Sequence, residues 1–164
     1  MVIADFNIVC LNQKHEDIFD NDVIKCDSTN LNKGKIYTYV GWDFLKCLKG
    51  YLYEIYPKAR DDANYGYDQE FFDFNHIDKE YDDKITALCE KRGQLLCVKK
   101  SEEDVIKIVD YYLDKSPVNR ICFMVRIQDK EEEAVLGTMS RNEFVSRLKD
   151  GDLRFNVAYI VSLN

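Results

Sequence analysis

Leu153-Arg-Phe-Asn-Val-Ala-Tyr-Ile-Val-Ser-Leu163 is the stretch whose reading decides the fold class. Phe155, Val157, Tyr159 and Val161 alternate with Arg154, Asn156, Ala158, Ile160 and Ser162. Period two marks a strand with one well-buried face, and Ala158 with Ile160 partly cover the other. That places the strand inside a sheet rather than at its edge. Just upstream, Ser140-Arg-Asn-Glu143 is a capping box opening a short helix through Phe144, Val145 and Leu148. Asp150-Gly151 closes it. Arg120–Ile127 is a strongly apolar strand, Asp129–Glu133 a charged turn, and Ala134–Met139 a returning strand, so the pair reads as a hairpin. Ser101-Glu-Glu-Asp104 reads as a helix start with a serine cap and acids in the first turn. Val105, Ile108, Val109 and Tyr112 form its inner face, and Ser116-Pro117 ends it.

The N-terminal half is less regular. Residues 2–10 predict a strand, and residues 11–35 read as polar and irregular. Ile36–Val40 is a short aromatic strand candidate. Phe44, Leu45, Leu48, Leu52 and Ile55 recur at helical spacing, predicting a helix from Asp43 to Tyr56 that Pro57 stops. A second helix is expected from Asp78 to Gly93 on the stripe Tyr81, Ile85 and Leu88, followed by a buried strand over Gln94–Lys99. The expected order is β-β-α-α-β-α-β-β-α-β. A single α+β domain over residues 1–164 follows, with a mixed or mostly antiparallel sheet and helices packed on it.

Composition narrows the function classes. The 164 residues are 46% hydrophobic, too rich in core material for a disordered chain. No apolar run approaches the roughly 18 residues of a membrane span, and Asp5 and Asn7 interrupt the apolar start. Cys10, Cys26, Cys47, Cys89, Cys97 and Cys122 are widely spaced and several sit in apolar patterns, which predicts free, mostly buried thiols and a cytoplasmic setting. No Cys-x-x-Cys pair, phosphate loop, dinucleotide fingerprint or nucleophile elbow occurs, so no cofactor and no catalytic residue is assigned. Asp61-Asp-Ala-Asn-Tyr-Gly66 fails as a calcium loop because its later ligand positions fall on Tyr65 and Phe72. His15 and His76 each stand beside carboxylates but lack a nucleophile motif.

Charge is the informative signal. Over residues 33–60, Lys33, Lys35, Lys46, Lys49, Lys58 and Arg60 face only Asp43 and Glu54. Over residues 61–83, nine carboxylates face Lys79 alone, interleaved with Tyr65, Tyr67, Phe71, Phe72, Phe74 and Tyr81. Such a segment repels nucleic acid and attracts basic protein surfaces, as does the net charge of −7. Asp61, Asp62, Tyr65, Tyr67, Asp68, Glu70 and Asp73 are the candidate partner-binding residues. The plainer alternative makes Phe71, Phe72 and Phe74 core anchors and the acids a solvated rim.

In overall character the chain resembles the immunity proteins of bacterial contact-dependent and polymorphic toxin systems. The stretch from Arg120-Ile-Cys-Phe-Met-Val125 to Phe155-Asn-Val-Ala-Tyr-Ile160 carries that likeness of profile. The resemblance implies a toxin domain as partner, frequently a nuclease, blocked at its active site or substrate groove. It implies no activity of the chain itself. A small enzyme built around His76 and a structural or oligomeric adaptor are the alternative classes.

Overall fold

The structure is a computed structural model that describes residues 4–33, 43–58, 71–73, 93–98, 101–127 and 134–164. Its described strands are β1 (Ala4–Leu11), β2 (Ile24–Asn30), β3 (Gly50–Pro57), β4 (Arg120–Ile127), β5 (Ala134–Ser140) and β6 (Val157–Ser162). Among the described residues two α-helices, α1 (Glu102–Lys115) and α2 (Arg141–Lys149), join these strands in an α+β fold, with short 3-10 turns at Leu31–Lys33 and Asp43–Cys47. The strands form one mixed sheet in the order β2-β3-β1-β4-β6-β5, antiparallel except for the β5–β6 pair.

Both helices cover the same face. Phe6, Ile8 and Cys10 of β1, Ile121, Phe123 and Val125 of β4, and Tyr159 and Val161 of β6 pack there against Val105, Ile108 and Val109 of α1 and Phe144 and Leu148 of α2. Phe6 stands at the middle of this core, edge-on to Phe71, Phe72 and Phe123 at 5.9, 5.1 and 5.3 Å between ring centroids. The opposite face carries a smaller cluster: Val9, Leu52, Cys122, Met124 and Ala158, covered by Leu31 and Leu45 from the 3-10 turns.

The final strand matches its alternation. Phe155, Tyr159 and Val161 join the helix-side core and Ala158 the other, with β6 lying between β4 and β5. It begins later than Leu153, because Asn156 adopts a left-handed φ of 62°. The turn is held by Ile127 N–H donating to Asn156 Oδ1 at 2.7 Å and Asn156 N–H to Val125 O at 2.8 Å. The capping box at Ser140 is present, with Glu143 N–H donating to its hydroxyl at 3.1 Å.

Four expectations are corrected. The helix expected over 43–56 is a 3-10 turn followed by β3, whose Tyr53 and Ile55 face the helix-side core while Leu52 faces away. Residues 24–30, read as irregular, form the terminal strand β2 with only Ile24 and Cys26 buried. β4 and β5 are not a hairpin: β5 passes over α2 and lies parallel to β6, which separates it from β4. Gln94 and Cys97 make only isolated bridges, to Arg154 and Phe72. Ser101 is a further departure: its hydroxyl donates to the carbonyls of Phe71 and Val98, at 2.6 and 2.7 Å, instead of capping α1. The expected strand at 36–40 and helix from 78 to 92 lie outside the described residues.

Among the described cysteines all are free; Cys10, Cys26 and Cys122 are buried and Cys97 half-buried, but Cys47 is exposed. Burial pushes the thiols of Cys10, Cys26, Cys97 and Cys122 up to about 12, so these sulfurs stay protonated and inert near neutrality.

Candidate functional site

The sheet face opposite α1 and α2 divides in two. Register alone sets the division, because directly opposed residues in neighbouring strands share a face. The row Thr29–Leu52–Val9–Cys122 is mostly apolar and lies in the part of the face that Leu31 and Leu45 cover. Two residues along, the row is Asp27–Glu54–Asn7–Met124. Beyond it Lys25 stands opposite Tyr56, and Asp5 opposite Arg126. Polar chemistry therefore begins where the leucine cover ends.

Asn7 is the most unusual member. It is fully buried (0% exposed), and neither its Nδ2 nor its Oδ1 has a hydrogen-bond partner. Native proteins leave few buried side-chain amides in that condition, since each unmade bond costs about 1–3 kcal/mol. Beside it on β3, Glu54 is half-buried and accepts a hydrogen bond from the Tyr56 hydroxyl. Burial pushes the Glu54 carboxyl above its ordinary range; the tyrosine bond opposes this, and the charges of Asp5 and Asp27 add to it. Burial likewise drives the Tyr56 hydroxyl up, with Glu54 reinforcing the shift. Lys25 lies over the Tyr56 ring at 6.0 Å, a cation on an aromatic face. Among the described residues no group of three His, Cys, Asp or Glu side chains is placed to hold a metal ion.

A pH dependence follows. A carboxyl whose folded value lies above its unfolded value binds its proton more tightly when folded. The associated stability is present below the ordinary carboxyl range and is lost as pH rises through the folded value. Glu54→Gln removes that loss. Denaturant midpoints should therefore shift in favour of the Gln variant as pH is raised from below the ordinary carboxyl value of 4.5 towards neutrality. A difference constant across that range contradicts the burial assigned to Glu54.

The loop between β1 and β2 is fixed by tyrosines. Tyr53 donates to Gln13 Oε1 at 2.8 Å and accepts from Asp17 N–H at 3.1 Å. Tyr112 donates to Asp17 O at 3.0 Å, and the Tyr111 hydroxyl donates to the Asp17 carboxylate. That bond, aided by Lys115 at 3.1 Å, holds the Asp17 carboxyl below its usual range. These contacts order the loop and leave His15 exposed upon it.

Of the sequence-derived partner-binding residues, Asp61, Asp62, Tyr65, Tyr67, Asp68 and Glu70 lie outside the described residues, as does His76. Asp73 is half-exposed, its backbone N–H donating to Leu96 O at 2.7 Å. Phe71 and Phe72 are core anchors, as the plainer alternative held for these two rings, while Phe74 lies outside the described residues. Fixed points thus stand before the acidic segment and within it. On one side Lys58 N–H donates to Val23 O at 2.7 Å and its ammonium meets Asp20 at 2.9 Å; on the other stand the two phenylalanines. Sequence reasoning missed Glu54, Tyr56 and Asn7. The available signal was Asn7 itself, a polar residue set between Phe6 and Ile8 in the central strand β1.

Among the described residues no helix is long and apolar enough to cross a membrane. No family model matches the chain, and no curated protein or solved structure matches it either.

Proposed function

We propose that this chain is a non-catalytic binding protein that neutralises a basic protein partner in the cytoplasm, in the manner of an immunity protein blocking a toxin domain. The observation that carries the reading is the run of nine carboxylates against one lysine over residues 61–83, in a chain of net charge −7. Fixed points at Lys58 and at Phe71–Phe72, which bracket Asp61, Asp62, Asp68 and Glu70, support it, because a segment held at both ends loses less entropy on binding than a free tail. Asp61, Asp62, Asp68, Glu70 and Asp73 supply long-range attraction. Tyr65 and Tyr67 supply contact area at low entropic cost.

The test is complex formation with the product of the neighbouring reading frame, followed by dissociation kinetics. The wild-type chain should form a one-to-one complex. Tyr65→Ala or Tyr67→Ala should speed dissociation by roughly thirtyfold where the ring is a hot spot, the equivalent of about 2 kcal/mol. An unchanged off-rate in both variants removes the tyrosines from the interface, and absence of any complex overturns the reading.

A further inference from the structure

We propose that strand β5 is the contact through which this chain pairs with a second copy of itself. The two β5 strands run antiparallel about a two-fold axis and join both sheets into one. The inference does not rest on the function proposed for residues 61–83, and two chains holding two partners keep a one-to-one ratio.

Two observations carry the inference. The first is exposure. β5 (Ala134–Ser140) ends the sheet, with β6 on one side and, among the described residues, no strand on the other. Alternate backbone N–H and C=O groups of such a strand point away from its neighbour and are open to pairing. Val135, Leu136, Gly137 and Thr138 are all exposed, Val135 by 51% and Leu136 by 42%. Successive side chains of a strand point to opposite faces, so both faces of β5 stand clear as well as its edge. The second is the absence of the usual protection. Native sheets block a terminal strand with charged side chains, with proline or with a covering segment. β2, at the other end of the sheet, carries Lys25 and Asp27. β5, Ala-Val-Leu-Gly-Thr-Met-Ser, has neither charge nor proline, and only a register shift between Leu136 and Met139 interrupts it.

Charge selects the occupant. Two copies each carry a net −7 and repel wherever their carboxylates meet. An uncharged strand brings no like charges together, so it is a place where a second copy can approach. A basic partner gains nothing there and is drawn to carboxylates instead. Symmetry supplies the geometry: an antiparallel strand offers its own copy the same donors and acceptors that it receives, so the contact closes at two chains. Full overlap of the seven residues sets Gly137 on the axis, Leu136 opposite Thr138 and Val135 opposite Met139. Gly137 has open space around it, with nothing within 4 Å of an added Cβ. One strand per copy is a small contact, below the roughly 1,200 Å² of a standard interface, so a dissociation constant of about 10–100 μM is expected.

The experiment is sedimentation equilibrium of the full chain from about 5 μM to about 0.5 mM, joined to hydrogen exchange of the β5 amides by NMR. A monomer–dimer equilibrium is expected, and exchange within β5 should slow as concentration rises. In a mixture of isotopically labelled and unlabelled chains, NOEs should pass from β5 of one copy to β5 of the other. Val135→Lys and Leu136→Lys should each weaken the dimer by about tenfold or more, since each puts like charges beside one another across the axis. Both positions are exposed, so the circular dichroism spectrum should not change. Ile18→Lys, also 42% exposed but between β1 and β2, should leave the dimer intact. Three results would each overturn the proposal: a chain that stays monomeric throughout the range, a dimer whose β5 amides exchange at a rate independent of concentration, and a dimer weakened as much by Ile18→Lys as by Leu136→Lys.

Discussion

Replacing Phe6 with alanine is expected to lower the unfolding free energy by about 4 kcal/mol. Its ring is 1% exposed on β1, a strand with neighbours on both sides. Three aromatic rings meet it edge-on, each such pair adding roughly 0.5–1.5 kcal/mol to simple burial. The sheet cannot collapse into the space left, because β3 and β4 hold β1 in register along most of its length. Phe71 and Phe72 each lose an edge-on ring partner. Phe155→Ala should cost less, about 3 kcal/mol, since Phe155 lies outside β6 and is 6% exposed. Denaturant unfolding of both variants checks the ranking. A cost below about 1 kcal/mol for Phe6 contradicts the core described above.

Gly50→Ala is the second large effect, at roughly 3 kcal/mol or more, or about 6–12 °C in the thermal midpoint. Gly50 opens β3 opposite Leu11 with φ of 123°, a backbone region that L side chains rarely adopt. An added Cβ would overlap the backbone carbonyl oxygen of Cys10 and stand 3.0 Å from Asn12 N. Neither obstacle is a flexible side chain that can swing aside. The glycine N–H also donates to Asn32 Oδ1 at 2.9 Å, tying β3 to the 3-10 turn that covers the apolar half of the face. Gly137→Ala is the control: its added Cβ meets nothing within 4 Å, so stability should change by less than about 0.5 kcal/mol. Equal effects at the two glycines would contradict the close approach at Gly50.

The elements legible in the sequence are those whose burial is one-sided. Helix α1 buries Val105, Ile108, Val109 and Tyr112 at helical spacing, and β6 sorts Tyr159 and Val161 from Ala158 and Ile160. β3 defeats that logic because it is buried on both faces. Leu52 serves one cluster and Tyr53 and Ile55 the other, so Leu48, Leu52 and Ile55 imitate a helical stripe. β2 fails for the opposite reason: a terminal strand with two buried side chains offers too little apolar signal. The β4–β5 hairpin was a reading of proximity in sequence. The actual arrangement, β5–α2–β6 with parallel strands, joins β5 to the far side of β6 through a helix. As for the site, the carboxylates of residues 61–73 are conspicuous as a charge run. Asp27 and Glu54 are 27 residues apart, and only the register of β2 on β3 brings them into one row with Asn7.

The central claim, that carboxylates steer this chain onto a basic partner, is tested most directly by the salt dependence of the association rate. The measurement compares the wild-type chain with Asp61→Asn/Asp62→Asn/Asp68→Asn, each against the product of the neighbouring reading frame, at low and physiological ionic strength. A steering role requires solvent-facing carboxylates, which contribute little to folding, so both proteins should have the same thermal midpoint. The wild-type rate should fall steeply as salt rises, while the triple variant associates about tenfold more slowly at low salt and responds only weakly. Equal rates and equal salt slopes for the two proteins would contradict the claim.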